Sequence, residues 1–145
     1  MEESSIRKRI DEKIDEIYNF IEELYTLIPK EIKLEDYKKD LKTKAICERY
    51  AEKIIEAIED LCFLIINYKD FNYPVIDKEV FEILSSNLII SKTISQRLKD
   101  FKGMRNVIAH QYGKIDDTVV YHSVYDREIE NDVEEFIKQV NDKIK

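Results

Sequence analysis

Residues 6–28 read IRKRIDEKIDEIYNFIEELYTLI, and their spacing decides the fold class. Ile6, Ile10, Ile14, Ile17, Ile21, Leu24 and Ile28 recur at intervals of four and three. At about 3.6 residues per turn, these side chains stack on one face of a helix. Charged residues fill the opposite face, the pattern of a helix that buries one stripe and solvates the rest. Pro29 follows and ends the helix, because the residue before a proline avoids the α region.

The same reading extends down the chain. Residues 34–68 form one long predicted helix. Cys47, Ala51, Ile58, Leu61 and Ile65 lie within about 60° of Ile54 around its axis. Ile55, Cys62 and Ile66 widen that arc on one side, and Ile46, Ala57 and Leu64 widen it on the other. One neighbouring helix does not cover so broad an arc. The helix is therefore expected at the centre of the fold or against a second subunit. Its polar arc carries Glu48, Arg49, Glu52, Glu56, Glu59 and Asp60.

Phe71-Asn72-Tyr73-Pro74 reads as a loop, and Asp77 as the opener of a short helix through Val80, Phe81, Ile83 and Leu84. A third long helix is expected over Ser91–Tyr112, with a weak point at Gly103 and an end at Gly113. A last helix, capped by Asp116 or Asp117, runs to the C-terminus through Val120, Val124, Ile129, Val133, Phe136, Ile137 and Val140. Val119-Val120-Tyr121 has strand propensity, which a helical context overrides. The expectation is an all-α, antiparallel helical bundle of about four long helices plus a short one, forming a single domain over residues 1–145.

Composition agrees. Only two glycines and two prolines occur in 145 residues, too few for a turn-rich β fold. No apolar run reaches the roughly 18 residues that span a bilayer. The acidic start, Met1 to Ser5, lacks a signal peptide's basic and apolar regions, which points to the cytoplasm. Cys47 and Cys62 lie about 22 Å apart along one helix, so they read as core thiols and not as a disulfide.

Net charge is −7, which argues against a nucleic-acid partner, but its distribution is uneven. Residues 89–115 hold Lys92, Arg97, Lys99, Lys102, Arg105 and Lys114 against a single acid, Asp100. Such an island is either a phosphate footprint or a solvated helix face.

The chemistry concentrates in Arg105-Asn106-Val107-Ile108-Ala109-His110-Gln111-Tyr112. Ile94, Leu98, Phe101, Ile108 and Tyr112 lie within about 60° of Arg105, so the arginine sits on an apolar stripe, where an unpaired charge is costly. Two readings follow: a core arginine bridging to Glu52 or Glu56, or an arginine held in a cleft for phosphate. Asn106 and His110, four apart, share another face, at about 100° and 140° from Arg105. His122 has no partner at a telling spacing. No His, Cys and carboxylate set has metal-ligand spacing, so no metal or other cofactor is expected. Nor is there a Gly-rich phosphate loop or a serine or cysteine nucleophile signature.

Taken together, these eight residues resemble the Arg-x4-His-x-Tyr motif of HepT-like proteins in the HEPN superfamily, with Asn directly after the Arg. The flanks Phe101-Lys102-Gly103-Met104 and Tyr112-Gly113-Lys114-Ile115-Asp116 are similar too, as is the second-helix stretch from Arg49-Tyr50-Ala51-Glu52 to Ala57-Ile58-Glu59-Asp60. The resemblance covers nearly the whole chain. It implies a helical homodimer that cleaves RNA without a metal, a toxin encoded beside a minimal nucleotidyltransferase that neutralises it. Arg105, Asn106 and His110 would form the ribonuclease site in a cleft between subunits. Tyr112 would accept AMP from the antitoxin. Lys92, Arg97, Lys99, Lys102 and Lys114 would hold the RNA backbone. The competing expectations are a non-catalytic HEPN module that binds nucleotide or a nucleotidyltransferase partner, and a purely structural helical protein.

Overall fold

The computed structural model describes residues 3–73, 79–110 and 116–144. Seven helices and no strand occur among them: α1 (Glu3–Leu27), α2 (Leu34–Lys39), α3 (Leu41–Lys69), α4 (Glu79–Ser86), α5 (Lys92–His110), α6 (Asp117–Tyr125) and α7 (Glu128–Lys143). The four long helices of the sequence reading are α1, α3, α5 and α7. Val119, Val120 and Tyr121 are helical, as expected. The expected loop at 71–74 is present as far as Tyr73. The expectations for Pro74, Asp77, Tyr112, Gly113 and Lys114 fall outside the described residues.

Two expected helices are broken. The stretch 34–68 divides at Asp40, whose φ of −91° and ψ of 89° leave the helical region. The Asp40 carboxylate accepts from the Thr43 backbone N–H at 3.0 Å and from the Thr43 hydroxyl at 2.9 Å. It is a helix N-cap placed inside the expected helix, and it starts α3 afresh. The final helix divides at Asp126 and Arg127. Arg127 takes a left-handed φ of 58°, normally disfavoured away from glycine. Tertiary contacts hold it there: its guanidinium lies 4.2 Å from the centre of the Tyr25 ring and donates to Glu130 at 2.8 Å. The Tyr25 hydroxyl in turn donates to the Val124 carbonyl at 2.5 Å.

The long helices run antiparallel. Tyr50 pairs with Glu23 and Asp60 with Lys13 across α3 and α1, so one helix climbs as the other descends. The same logic orients α5 against α3, through Lys102–Glu59 and Arg105–Glu56, and α5 against α7, through Arg97–Asp132 and Ser91–Gln139. The centre is α3, which touches α1, α2, α4, α5 and α6. Ile55, Ala57, Cys62, Leu64 and Ile66, which widen its apolar arc, are all buried within the single chain. Of the two readings of that broad arc, the central helix accounts for it within one chain, Ile46 alone of the widening residues being only half-buried.

Cys47 and Cys62 are free, fully buried thiols. Burial pushes the Cys47 thiol up to about 12 and the Cys62 thiol well above its ordinary value, so neither is a nucleophile near neutral pH.

Candidate functional site

Helix α5 positions the motif. Ser91 caps it, its hydroxyl oxygen accepting from the Ile94 backbone N–H at 3.1 Å. Ile94, Leu98, Phe101 and Ile108 bury one face of α5. The expected weak point at Gly103 leaves no break: the helix runs through it. Gly103 is exposed, and a Cβ there would meet nothing within 4 Å. A cavity of about 310 Å³ lies beside it, lined by Glu82, Lys99, Lys102, Gly103 and Asn106.

Arg105 is three-quarters buried on the seam between α5 and α3, with 25% of its side chain exposed. Nη2 donates to Glu56 Oε1 at 2.9 Å, and Nη1 donates to Asn106 Oδ1 at 3.0 Å. Nε is buried and has no hydrogen-bond partner among the described residues. The bond to Glu56 raises the guanidinium pKa above its ordinary value, burial opposes that rise, and the charges of Glu56, Glu59 and Glu52 add to it. Of the two carboxylates expected as partners, Glu56 makes the bridge. Asn106, expected in the ribonuclease site, holds Arg105 through its side-chain carbonyl oxygen. His110 ends the described part of α5; its side chain, like the whole of Tyr112, lies outside the described residues.

The basic island looks different in space. Arg97 pairs with Asp132 at 2.6 Å, Lys99 with Glu82 at 2.6 Å, Lys102 with Glu59 at 2.7 Å and Arg105 with Glu56. Acids from α3, α4 and α7, distant in sequence, neutralise the window that reads as positive along the chain. Lys102 is 8% exposed and its ammonium is held by Glu59, which leaves it little access for an RNA phosphate. Lys92 and Arg97 are exposed. Lys114 lies outside the described residues. One correction concerns His122: its Nδ1 lies 2.8 Å from Asp126 Oδ2, a partner four residues on along an exposed helix face.

The missed feature is the Lys102–Glu59 pair. Its signal was present: acids at 56 and 59 on one helix match cations at 105 and 102 on an antiparallel neighbour, three residues apart in each. No group of three or more His, Cys, Asp or Glu side chains that could hold a metal ion occurs among the described residues. None of the described helices is long and apolar enough to cross a membrane.

A family model described as Ribonuclease HepT-like matches residues 8–140. The mRNA nuclease HepT of Shewanella oneidensis is 27% identical over 73 residues, covering 50% of this chain and 55% of that protein. The match thus spans about half the length of that curated relative. The fold superposes on a tri-AMPylated Shewanella oneidensis HEPN toxin solved in complex with MNT antitoxin, with a TM-score of 0.81, 23% identity, and coverage of 92% of this chain and 97% of that one. A toxin–antitoxin structure with AMP-PNP gives 0.80 at 23% identity, over 90% and 96% of the two chains. YutE, a cytosolic Bacillus subtilis protein of unknown function, gives 0.71 at 17% identity, over 91% and 88%. At these identities the structural likenesses establish the fold.

Proposed function

Because the chain belongs to the HepT-like ribonuclease family, we propose that it is a metal-independent endoribonuclease, the toxin of a HEPN and minimal-nucleotidyltransferase pair. The observation that carries this reading is Arg105, held by Asn106 and Glu56 five residues before His110 on the same helix. RNA cleavage without a metal uses the ribose 2′-hydroxyl as nucleophile. The 2′-oxygen bonds to phosphorus, the bond from phosphorus to the 5′-oxygen breaks, and a 2′,3′-cyclic phosphate and a 5′-hydroxyl result. His110 is the group suited to take the 2′ proton near neutral pH. Arg105 supplies N–H donors and positive charge to the phosphorane-like transition state. In a two-fold homodimer, the second copy of His110 protonates the leaving oxygen.

Lys92, Arg97, Lys99 and Lys114 are the proposed contacts to the RNA backbone. The Lys99–Glu82 pair has a largely exposed acid, and such pairs are worth only about 0–1 kcal/mol, so phosphate can replace that carboxylate; Arg97, 45% exposed, would reach phosphate while keeping its bond to the buried Asp132. Tyr112 is the proposed acceptor of AMP from the nucleotidyltransferase partner, where added negative charge would repel substrate. The relative named as an mRNA nuclease and the AMPylated toxin in complex with an antitoxin support this assignment.

A second reading, a non-catalytic HEPN module that binds nucleotide or the nucleotidyltransferase, is favoured by the acids Glu52, Glu56 and Glu59 around Arg105, an unfavourable setting for RNA. One assay separates the two: purified protein incubated with RNA in excess EDTA. Cleavage to 2′,3′-cyclic phosphate ends is the expected result. Activity abolished by EDTA and restored by magnesium would contradict the mechanism, and bound but intact RNA would support the second reading.

A further inference from the structure

We infer that Glu56 is a positioning residue: it holds the Arg105 guanidinium in the orientation the proposed cleavage needs, without itself touching RNA. The inference deepens the ribonuclease reading and, for its catalytic consequence, rests on it.

The anchor is rigid. Glu56 lies midway along the 29-residue α3, between Ile55 and Ala57, which are 2% and 3% exposed. Its backbone therefore cannot shift without disturbing the core. One turn away, the Lys102–Glu59 pair, with side chains only 11% and 13% exposed, fixes the register of α5 against α3. Glu56 thus presents its carboxylate at a defined height on the seam.

The guanidinium is held in a placement it would not choose alone. Among the described residues, its Nε is buried without an acceptor. A buried unpaired donor is costly, and such groups persist in folded proteins where the surroundings over-determine them. An arginine left to itself would swing out and hydrate Nε. The bonds from Nη2 to Glu56 and from Nη1 to Asn106 oppose that swing from two directions.

The contact is also the wrong shape for a plug. A carboxylate that blocked the site would close on the guanidinium as a two-pronged pair. Glu56 takes a single N–H, through Oε1. Each terminal nitrogen carries two N–H groups and gives one to a described residue, so one on each is open to a phosphate oxygen as far as the described residues go.

The test compares Glu56→Ala with Glu56→Gln, which keeps an oxygen acceptor, in two measurements. The first is the NMR signal of the Arg105 Nε–Hε group, identified by its loss in Arg105→Ala. It should exchange slowly with water in the wild type and in Glu56→Gln, and rapidly in Glu56→Ala. The second is cleavage of a short RNA. In Glu56→Ala kcat should fall about 100-fold, the size expected for a displacement of roughly 1 Å. Glu56→Gln should recover most of it, and Glu56→Ala should have no further effect in an Arg105→Ala background. An Nε–Hε signal unchanged in Glu56→Ala overturns the inference, as does faster cleavage by that variant, which would make Glu56 a block. If the wild type cleaves no RNA while the NMR signals behave as described, Glu56 still positions Arg105 and it is the ribonuclease reading that falls.

Discussion

Two ion pairs lie one turn apart on the same seam between α3 and α5, and they do opposite things. Lys102–Glu59 is sealed: 2.7 Å long, with side chains 11% and 13% exposed. Arg105–Glu56 is open: 2.9 Å long, with 25% and 44% exposed, an asparagine on the second terminal nitrogen and an Nε without a partner among the described residues. The sealed pair uses charge to fasten two helices. The open pair uses charge to aim one side chain. What separates them is access to water, because burial sets both the cost of breaking a pair and the chance of a ligand replacing one partner.

The comparison breaks first, and most severely, at Lys102. Removing it in Lys102→Ala leaves the Glu59 carboxylate nearly dry and unpaired, and should lower stability by about 3 kcal/mol. Urea denaturation with an unchanged slope would measure it. Replacing both partners with methionine should restore most of that loss, since buried pairs exchange for apolar packing at little cost. A loss in Lys102→Ala below about 1 kcal/mol would show that the two rungs are alike.

Arg105→Ala should cost less stability, about 1 kcal/mol, because Glu56 keeps access to water when its partner goes. The same substitution should lower RNA cleavage by about 10²- to 10³-fold, the usual effect of removing one donor to a developing charge. A variant that lost stability and activity in the ratio seen for Lys102→Ala would mean that Arg105 is only another fastener. The smallest effect belongs to Lys99, whose partner Glu82 is 61% exposed. Lys99→Ala should change stability by no more than about 0.5 kcal/mol, checked by the same denaturation curves.

The long helices were legible in the sequence because their apolar residues repeat at the helical period, and burial follows that repeat almost residue by residue in α1. The breaks were less legible. Asp40 is a cap whose partner, Thr43, sits three residues on, a signal masked by the strong periodicity on either side. The break at Arg127 depends on Tyr25, about a hundred residues earlier, and no local pattern announces it. The site divides the same way. Arg105 on an apolar stripe called for a carboxylate on the second helix, and Glu56 supplies it. The basic island misled because charge was counted along the chain, while the acids that neutralise it come from three other helices. A cation's partners are set by helix packing, so a local excess of charge marks a phosphate surface only after those partners are placed.

The central claim is that the Arg105–His110 segment cleaves RNA, and His110→Ala tests it most directly. Its RNA cleavage, in EDTA, should be measured beside its thermal unfolding. Cleavage should fall by about 10²- to 10⁴-fold, the contribution of a general acid–base group. Unfolding should stay within about 0.5 kcal/mol of the wild type. A folded His110→Ala protein that cuts RNA at the wild-type rate would contradict the account, and one that unfolds would make His110 a structural residue.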